Sequence, residues 1–527
     1  MIFDRVKPLD AILATAKRKS LHRSLSGLQL MLFGIGCIIG TGIFVLTAAG
    51  AQKAGPGLML AFIIAGAVCI VAALCYAEVA AMIPVAGSAY TYSYASVGEF
   101  LAWTVGWALI LEYAVAASAV SVGWSGYFSG TILQEFFGIT LPPWLAAGPL
   151  SLGGAPGGFI NLPALVIALL VTWLLMIGTS ESAAVNAVLV AIKVAALTAF
   201  IALTLTSPEF DADRFNPFLP AGFGGAFGSG LGAVGAAATI FFAYVGFDAV
   251  STAAEETKDP QKNVPFGLIG SLLFCTVFYI LVAAGAIGTI GGQPITGPDG
   301  IPFPAGSEEL ARQCAMPQYA AALVCSDEAL AHVLRQIGFS GIGNMLGIAA
   351  FLALPSVILV LIFAQTRIFF VMSRDGLLPE RLSAVHPRWK TPHIVTMMTG
   401  LVVAIGAAFF PVGLLADYAN AGTLYAFFMV AVTVMVLRRK DPARHRPFRM
   451  KGVWIVAPLT LAGCLYLYLN LPWQAIAVLP AWGLIGVLIY LGYSRRRSHL
   501  GRGIVEVVDD VAGEETMVPI HPSAQGS

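Results

Sequence analysis

The sequence predicts an all-α polytopic membrane protein with twelve transmembrane helices. Of its 527 residues, 58% are hydrophobic and only 11% are charged, and the mean hydropathy is +0.83. A soluble protein of this length needs more polar residues to cover its exterior. Apolar runs of about 20 residues, each long enough to cross a hydrocarbon core, recur along the chain.

Polar segments divide the chain into the twelve predicted spans. Two groups of five, in 28–206 and 229–437, are followed by two more in 453–494, between tails at 1–27 and 495–527. The N-terminal segment does not resemble a signal peptide, because its charges are spread out before any apolar core. The predicted spans are 28–50, 57–82, 100–130, 161–179, 185–206, 229–254, 264–290, 342–372, 393–410, 412–437, 453–471 and 474–494.

The distribution of Lys and Arg predicts the orientation. If the N-terminus is inside, 23 of the 29 basic residues fall in cytoplasmic segments. We therefore expect a multi-pass protein of the cytoplasmic membrane with both termini in the cytoplasm. The other basic residues are assigned to outside loops (Lys53, Arg214, Arg312 and Arg335) or to spans (Lys193 and Arg367).

The seven cysteines do not have the spacing of a metal site. Five of them lie in apolar spans. Cys314 and Cys325 lie in the long polar segment between the seventh and eighth spans, which the orientation places outside. They could form a disulfide if this segment faces an oxidising compartment, or they could remain thiols.

The first and sixth spans contain clusters of glycine near their centres. The first reads "GIGCIIGTGIF" at 34–44, and the sixth contains "GLGAVGAAATIFFAYVGF". At about 1.5 Å per residue, Gly40 lies roughly 18 Å from one side and Ala243 roughly 20 Å from the other. Such clusters also allow close helix packing. Their matching depth, five spans apart, favours interrupted helices at the binding site of an inverted-repeat transporter.

Interrupted helices suit a zwitterionic ligand. Free N–H groups at the start of a half-helix, together with its dipole, favour a carboxylate. Free carbonyl groups on the opposite helix favour an ammonium group. An α-amino acid carries both groups.

Several motifs carry a family resemblance: "GIGCIIGTGIFVLTAAG", "GTSESAAVNAVLVAIK", "FFAYVGFDAVSTAAEETKDPQKNVP", "MSRDGLLP" and "AGTLYAF". From about residue 20 to 495 the chain resembles permeases of the amino acid–polyamine–organocation superfamily, especially the cationic amino acid transporter branch. The resemblance implies a LeuT-like five-plus-five inverted repeat with two further C-terminal helices. It also implies that substrate contacts come from the first helix (Ile38, Gly40, Thr41 and Gly42) and from the sixth (Phe242, Ala243 and Val245).

Lys193 lies in the fifth span, roughly 12 Å from its cytoplasmic end, without an acidic neighbour at helical spacing. A lysine buried there can gain and lose a proton, although it could also extend its ammonium group to the interface. The resemblance implies that this lysine replaces a sodium ion and links the first helix, near Gly36 and Ile39, to Ser356 on the eighth. We predict that Lys193 is the proton-coupling group.

Glu112 lies roughly 18 Å deep in the third span, among apolar neighbours. An acid at this depth is a functional candidate, although a structural carboxylate remains an alternative. The resemblance places it in a central polar network, so we predict a role in substrate binding or proton coupling. Glu78, Glu99 and Arg367, near cytoplasmic span ends, are predicted gate or interface residues.

These features predict a secondary active transporter that imports amino acids by alternating access, driven by protons. A broad neutral specificity is favoured over a cationic one. Sodium-coupled or exchange transport of Arg and Lys on the same fold is the alternative. The residues do not form an enzyme's catalytic set, a metal site, a cofactor fingerprint or a basic nucleic-acid surface. We therefore expect amino acids, protons and the bilayer as partners, and no nucleic acid.

Overall fold

A computed structural model describes residues 5–9, 12, 25–83, 87–149, 158–178, 183–252, 257–389, 391–509 and 515–519. For residues 183, 184, 252, 505–509 and 515–519 it describes the backbone only. Most of the predicted N-terminal tail lies outside the described residues. The predicted end of the fourth span at 179, that of the sixth at 253–254, and the end of the C-terminal tail lie outside them too.

Helices dominate the described residues. In chain order the α-helices are α1 Gly27–Ile38, α2 Thr41–Phe44, α3 Leu46–Ala54, α4 Leu58–Met82, α5 Ser88–Ser96, α6 Glu99–Tyr127, α7 Pro143–Ala146, α8 Leu162–Met176, α9 Ala183–Leu205, α10 Gly232–Ile240, α11 Ala249–Thr252, α12 Pro260–Ile290, α13 Glu308–Cys314, α14 Ala329–Gln336, α15 Ser340–Arg374, α16 His393–Phe409, α17 Val412–Lys440, α18 Val453–Leu469, α19 Trp473–Ile489 and α20 Arg495–Arg497.

Shorter elements complete the fold. The 3₁₀ turns are Gly55–Gly57, Ala212–Phe215, Phe241–Tyr244, Pro317–Tyr319, Leu323–Cys325, Glu380–Ser383 and Leu500–Arg502, and Phe128–Phe136 and Tyr490–Ser494 are π-helical. Strands β1 Ile504–Asp509 and β2 Glu515–Pro519 pair antiparallel, with Val507 opposite Met517.

The prediction of an α-helical membrane protein is confirmed. By length and composition, eight helical stretches in the described residues could cross a membrane, and four shorter helices are also apolar. The long stretches are Leu46–Met82, Glu99–Phe136, Val185–Leu205, Gly232–Ser251, Pro260–Ile290, Ser340–Arg374, Val412–Lys440 and Trp473–Arg497, and the shorter helices are α1, α8, α16 and α18. The count of twelve spans and the inverted repeat stay predictions.

Two local predictions were wrong. Helix α5 occupies a segment expected to be a polar connection, and all its residues are buried. Its small hydroxyl side chains and tyrosines allow this, because α5 packs along α6. Lys53 was assigned to an outside loop, but the helix after the first break continues to Ala54, and Lys53 is only 5% exposed.

The two glycine-rich helices lie inside the bundle. Helix α1 packs against α12 and α9, and α10 packs against α4 and α3. Helix α6, most of whose residues are buried, packs against α15 and α17. Every residue of α10 is buried, whereas only Ala475 and Gly486 are buried in α19, as expected for a helix at the periphery.

One end of the bundle, which we call the basic face, brings the two terminal segments together. Arg5 donates to Glu99 over 3.2 Å and to the Arg495 carbonyl over 3.0 Å. Lys7 pairs with Asp375 at 2.8 Å. Segments 5–9 and 495–502 therefore meet on the ends of α6 and α15.

The predicted interface residues also lie at this face. Arg438 holds both oxygens of the buried Glu78 through two hydrogen bonds of 2.7 Å. The Arg367 guanidinium lies 4.5 Å from the centre of the Phe363 ring. The Arg438–Glu78 bonds hold α17 against α4, whereas the Arg367–Phe363 contact lies within α15.

The opposite end, the loop face, carries the segment 291–339. Cys314 and Cys325 form a disulfide there, which was one of the two alternatives left open. The turn Leu323–Cys325 packs on α3, and Arg335 pairs with Glu328 at 3.2 Å. The loop segment thus covers the second half of the first broken helix.

Candidate functional site

The first glycine-rich helix is interrupted at its centre. Helix α1 ends at Ile38, and Ile39 and Gly40 are extended, with φ/ψ of −73°/95° and −147°/−151°. Helix α2 then begins at Thr41 and leads into α3. The break falls inside the glycine cluster, as the sequence predicts.

This break exposes hydrogen-bond donors. Among the described residues, the N–H groups of Gly40, Thr41 and Gly42 have no recorded acceptor. The buried Thr41 hydroxyl also lacks a partner there. The positive end of a half-helix therefore points into the break, where a carboxylate would be stabilised.

The second interruption is longer. Helix α10 ends at Ile240 and tightens into the turn Phe241–Tyr244, and Val245 is extended, with φ −59° and ψ 136°. Gly246 has φ +104°, a conformation that favours glycine. The chain then turns into α11.

Side chains from other helices contact the carbonyl groups of this second break. Asn420 on α17 donates from Nδ2 to the carbonyls of Ala238 and Thr239, both at 2.8 Å. The Tyr279 hydroxyl on α12 lies 2.9 Å from the Ile38 carbonyl oxygen and 3.1 Å from that of Ala243. Tyr279 therefore touches both broken helices.

The two breaks meet at Gly42. A Cβ atom on Gly42 would lie 2.2 Å from the Ala243 Cα, so the backbones approach too closely for any side chain. A Cβ on Gly40 would instead lie an ordinary 3.5 Å from Val357. The segments Thr41–Phe44 and Phe241–Tyr244 thus pack together, and Gly42 is the glycine that this contact requires.

Lys193 points to the first broken helix. Its ammonium group donates to the Gly36 carbonyl over 2.9 Å, and the residue is 1% exposed. A Cβ on Gly36 would lie 2.6 Å from Val190, so this glycine lets α9 approach. Ser356, the other expected contact, is buried on α15 and donates to Ala353 over 2.8 Å.

Glu112 lies with a second buried acid, Asp248, that the sequence analysis missed. Tyr113, which follows Glu112 in the chain, donates to Asp248 over 2.7 Å, and both acids are fully buried. Neither oxygen of Glu112 nor Oδ1 of Asp248 has a partner among the described residues. Asp248 follows Gly246 by two residues, so its position beside the break could have identified it as a site residue from the sequence.

A buried ion pair was also missed. Lys53 on α3 pairs with Asp417 on α17 at 3.3 Å and donates to Thr239 on α10. Lys53 thereby ties the second half of the first broken helix both to α17 and to the first half of the sixth. The sequence feature that could have predicted this pair is Asp417, an acid within the tenth predicted span.

The site can therefore bind a ligand that carries both charges. Donors gather at the first break and acceptors at the second, with a lysine and two acids buried nearby. No group of three His, Cys, Asp or Glu side chains in the described part of the chain could hold a metal ion. The arrangement provides binding groups and groups that can exchange protons.

Comparisons with known proteins identify a family and several relatives. The sequence model of the family described as amino acid permease matches residues 25–492. The branched-chain amino acid permease BcaP of Bacillus subtilis is 43% identical over 503 residues, which are 95% of this chain and 99% of that protein.

Two further relatives differ in the substrate that their names state. The methylthioribose transporter of Bacillus subtilis is 40% identical over 94% of this chain and 99% of its own length. The chloroplastic cationic amino acid transporter 9 of Arabidopsis thaliana is 34% identical over 80% of this chain and 68% of its own. All three relatives are permeases or transporters and not enzymes.

Proposed function

The chain belongs to the amino acid permease family, and from this premise we propose that it is a secondary active transporter that imports amino acids by alternating access. The contact between the two broken helices at Gly42 and Ala243 carries the proposal. The substrate carboxylate would bind the N–H groups of Thr41 and Gly42. Its ammonium group would bind the carbonyls of Ile38 and Ala243.

The proposed substrates are neutral α-amino acids. One relative is named for branched-chain amino acids and another for cationic ones. A cationic side chain would need an acid in the pocket, and we propose that Glu112 and Asp248 bind the coupled proton instead. A binding screen over the twenty amino acids at two pH values tests this: tight binding of Arg and Lys alone would overturn neutral specificity.

Lys193 is proposed to couple transport to protons. As an ammonium group it donates to Gly36, and loss of the proton would release the first broken helix from α9. The Lys193→Ala variant should therefore bind substrate but lose uptake driven by a pH gradient. Lys258→Ala, at an exposed lysine, is the matched control. Full pH-driven uptake by Lys193→Ala would overturn this role.

Glu112 and Asp248 are proposed to share the second titrating site. Two neighbouring carboxyl groups in a buried site do not both remain charged without a compensating cation. Glu112→Gln should change the pH dependence of uptake, whereas Glu135→Gln, at an exposed glutamate, should not. An unchanged pH profile in Glu112→Gln would remove this acid from the coupling.

Proton coupling competes with sodium coupling and with exchange. Uptake into proteoliposomes under separate proton, sodium and amino-acid gradients distinguishes the three. We expect accumulation with the proton gradient alone. Accumulation that requires sodium, or an amino acid on the opposite side, would overturn the proton assignment.

The proposed architecture is a five-plus-five inverted repeat with two further helices, in the cytoplasmic membrane, with both tails in the cytoplasm. The support is that interrupted helices occur in the first and sixth spans and that Arg438–Lys440 and Arg495–Arg497 lie at helix ends. Impermeant thiol labelling of a cysteine placed at Arg496 tests the orientation in intact cells: labelling without permeabilisation would overturn it.

A further inference from the structure

Tyr279 contacts one backbone carbonyl of each broken helix. It lies on α12, is fully buried, and belongs to neither broken helix. Its hydroxyl is 2.9 Å from the Ile38 carbonyl oxygen, at the end of α1, and 3.1 Å from the Ala243 carbonyl oxygen, in the second break.

The two carbonyls beside this hydroxyl share a single donor. A phenol carries a single proton, so it can donate to only one of the two carbonyls at a time. In the described part of the chain, no other donor is recorded for either carbonyl. A buried carbonyl without a donor is costly inside a membrane, and at any moment one of these two lacks one.

A substrate ammonium group would supply the missing donor. It carries three N–H groups, and these same two carbonyls form the proposed ammonium site. When the ammonium group donates to one carbonyl, the Tyr279 proton can remain with the other. The phenol oxygen then has lone pairs available for a second N–H group.

We propose that Tyr279 is the positioning residue of the ammonium site. It holds the carbonyls of Ile38 and Ala243 at the separation that an amino group completes, so the empty site is arranged before the ligand arrives. This inference rests on the proposed function, because it uses the ammonium site stated there.

The chain provides a matched control in Tyr244. This tyrosine is also buried, its ring lies 5.5 Å from that of Tyr279, and its hydroxyl donates to a backbone carbonyl, that of Phe62 on α4, over 3.0 Å. Neither Tyr279→Phe nor Tyr244→Phe removes a ring. Only Tyr279→Phe removes a donor from the two carbonyls of the breaks.

The test compares these variants with the wild-type protein, using L-leucine as the probe. We expect Tyr279→Phe to raise Kd and KM about tenfold with kcat nearly unchanged, because a hydrogen bond next to a charged group is lost. Tyr244→Phe should keep the wild-type Kd, and both variants should lose similar thermal stability. Equal L-leucine affinity in Tyr279→Phe and wild type would overturn the inference alone, whereas a wild-type protein that binds none of the twenty amino acids would overturn the proposed function too.

A second measurement follows the separation of the breaks. Cys37 precedes Ile38, and its Cβ lies 3.2 Å from where a Cβ on Gly246 would be. Without ligand, alkylation of Cys37 should be faster in Tyr279→Phe than in Tyr244→Phe, with Cys464 as the reference thiol. If Tyr279→Phe does not fold, L-leucine should still slow the alkylation of Cys37 in wild type, and equal rates with and without it would overturn the proposal.

Discussion

The two broken helices differ in the backbone groups that they leave available. At the first break, the N–H groups of Thr41 and Gly42 have no recorded acceptor among the described residues. At the second, the exposed groups are carbonyls, and Asn420 and Tyr279 already contact them. One break is open to a ligand, and the other is organised by side chains from α17 and α12.

This difference explains why glycine has a different role in each break. A donor break needs a backbone that can approach a ligand and the opposite helix, and Gly42 meets that need. An acceptor break can be built with larger residues, since distant side chains satisfy its carbonyls. Gly246 serves the turn itself, through its positive φ.

The largest expected effect comes from placing a side chain at the contact between the two breaks. Gly42→Ala would place a Cβ 2.2 Å from the Ala243 Cα, so the helices must separate by more than packing tolerates. We expect uptake to be lost and the melting temperature to fall. Gly40→Ala, whose Cβ meets only Val357 at 3.5 Å, should keep the wild-type melting temperature. Equal destabilisation by both would remove the distinction between these glycines.

The second effect comes from the ion pair that ties the first broken helix to α17. Asp417→Asn leaves Lys53 buried without its carboxylate, which should cost about 3 kcal/mol of unfolding free energy. Lys53→Met combined with Asp417→Asn should recover part of this loss, because no unpaired charge remains. Thermal unfolding in detergent measures both, and a double variant less stable than the single one contradicts the explanation.

A smaller effect is expected where α17 supports the second break. Asn420→Ala removes a side-chain donor from the Ala238 and Thr239 carbonyls and should cost about 1–2 kcal/mol. Asn470→Ala removes a similar bond, to the Tyr466 carbonyl, near the surface and should cost almost nothing. Urea unfolding of the two variants checks the comparison. Equal costs would mean that the carbonyls of the second break do not depend on Asn420.

The smallest effect concerns the loop segment that covers the second half of the first broken helix. Burial, together with the nearby Arg335, lowers the pKa of His332, whereas a contact with the Ala321 carbonyl raises it. A histidine whose pKa is lower in the folded state than in the unfolded state stabilises the fold at pH values above its ordinary pKa of about 6.5. This stabilisation is lost as the pH falls from about 6.5 through the pKa of the folded state. The buried Glu328, whose pKa burial raises, opposes this trend, because it favours the folded state at low pH.

The difference between wild type and His332→Gln isolates the histidine. We expect the melting temperature of the wild type to fall more than that of His332→Gln between about pH 7.5 and pH 5.5. Differential scanning fluorimetry at both pH values measures this. Parallel curves would show that His332 does not stabilise the loop.

Patterns local in sequence were predictable. The glycine cluster located the first break, and the apolar runs located the long helices. The position of Lys193 beside Gly36 followed from the family resemblance, since nothing in the fifth span alone names a partner 157 residues away.

The features that the sequence did not reveal depend on contacts between distant segments. Lys53 and Asp417 are 364 residues apart, and each alone resembles a residue near a helix end. Tyr279 looks like any aromatic residue in an apolar helix until its two carbonyl contacts are known. Helix α5 was missed because its hydroxyl-rich composition is typical of a connection, and its burial comes from packing on α6.

The meeting of segments 5–9 and 495–502 makes the basic face a natural place for a reporter. Because Arg5 reaches the Arg495 carbonyl, dyes attached to these two segments would begin close together, on the ends of helices that border the site. Energy transfer between the dyes would fall whenever the two segments separate. The opening of this end could then be timed in single molecules without labelling the substrate or altering any residue that binds it.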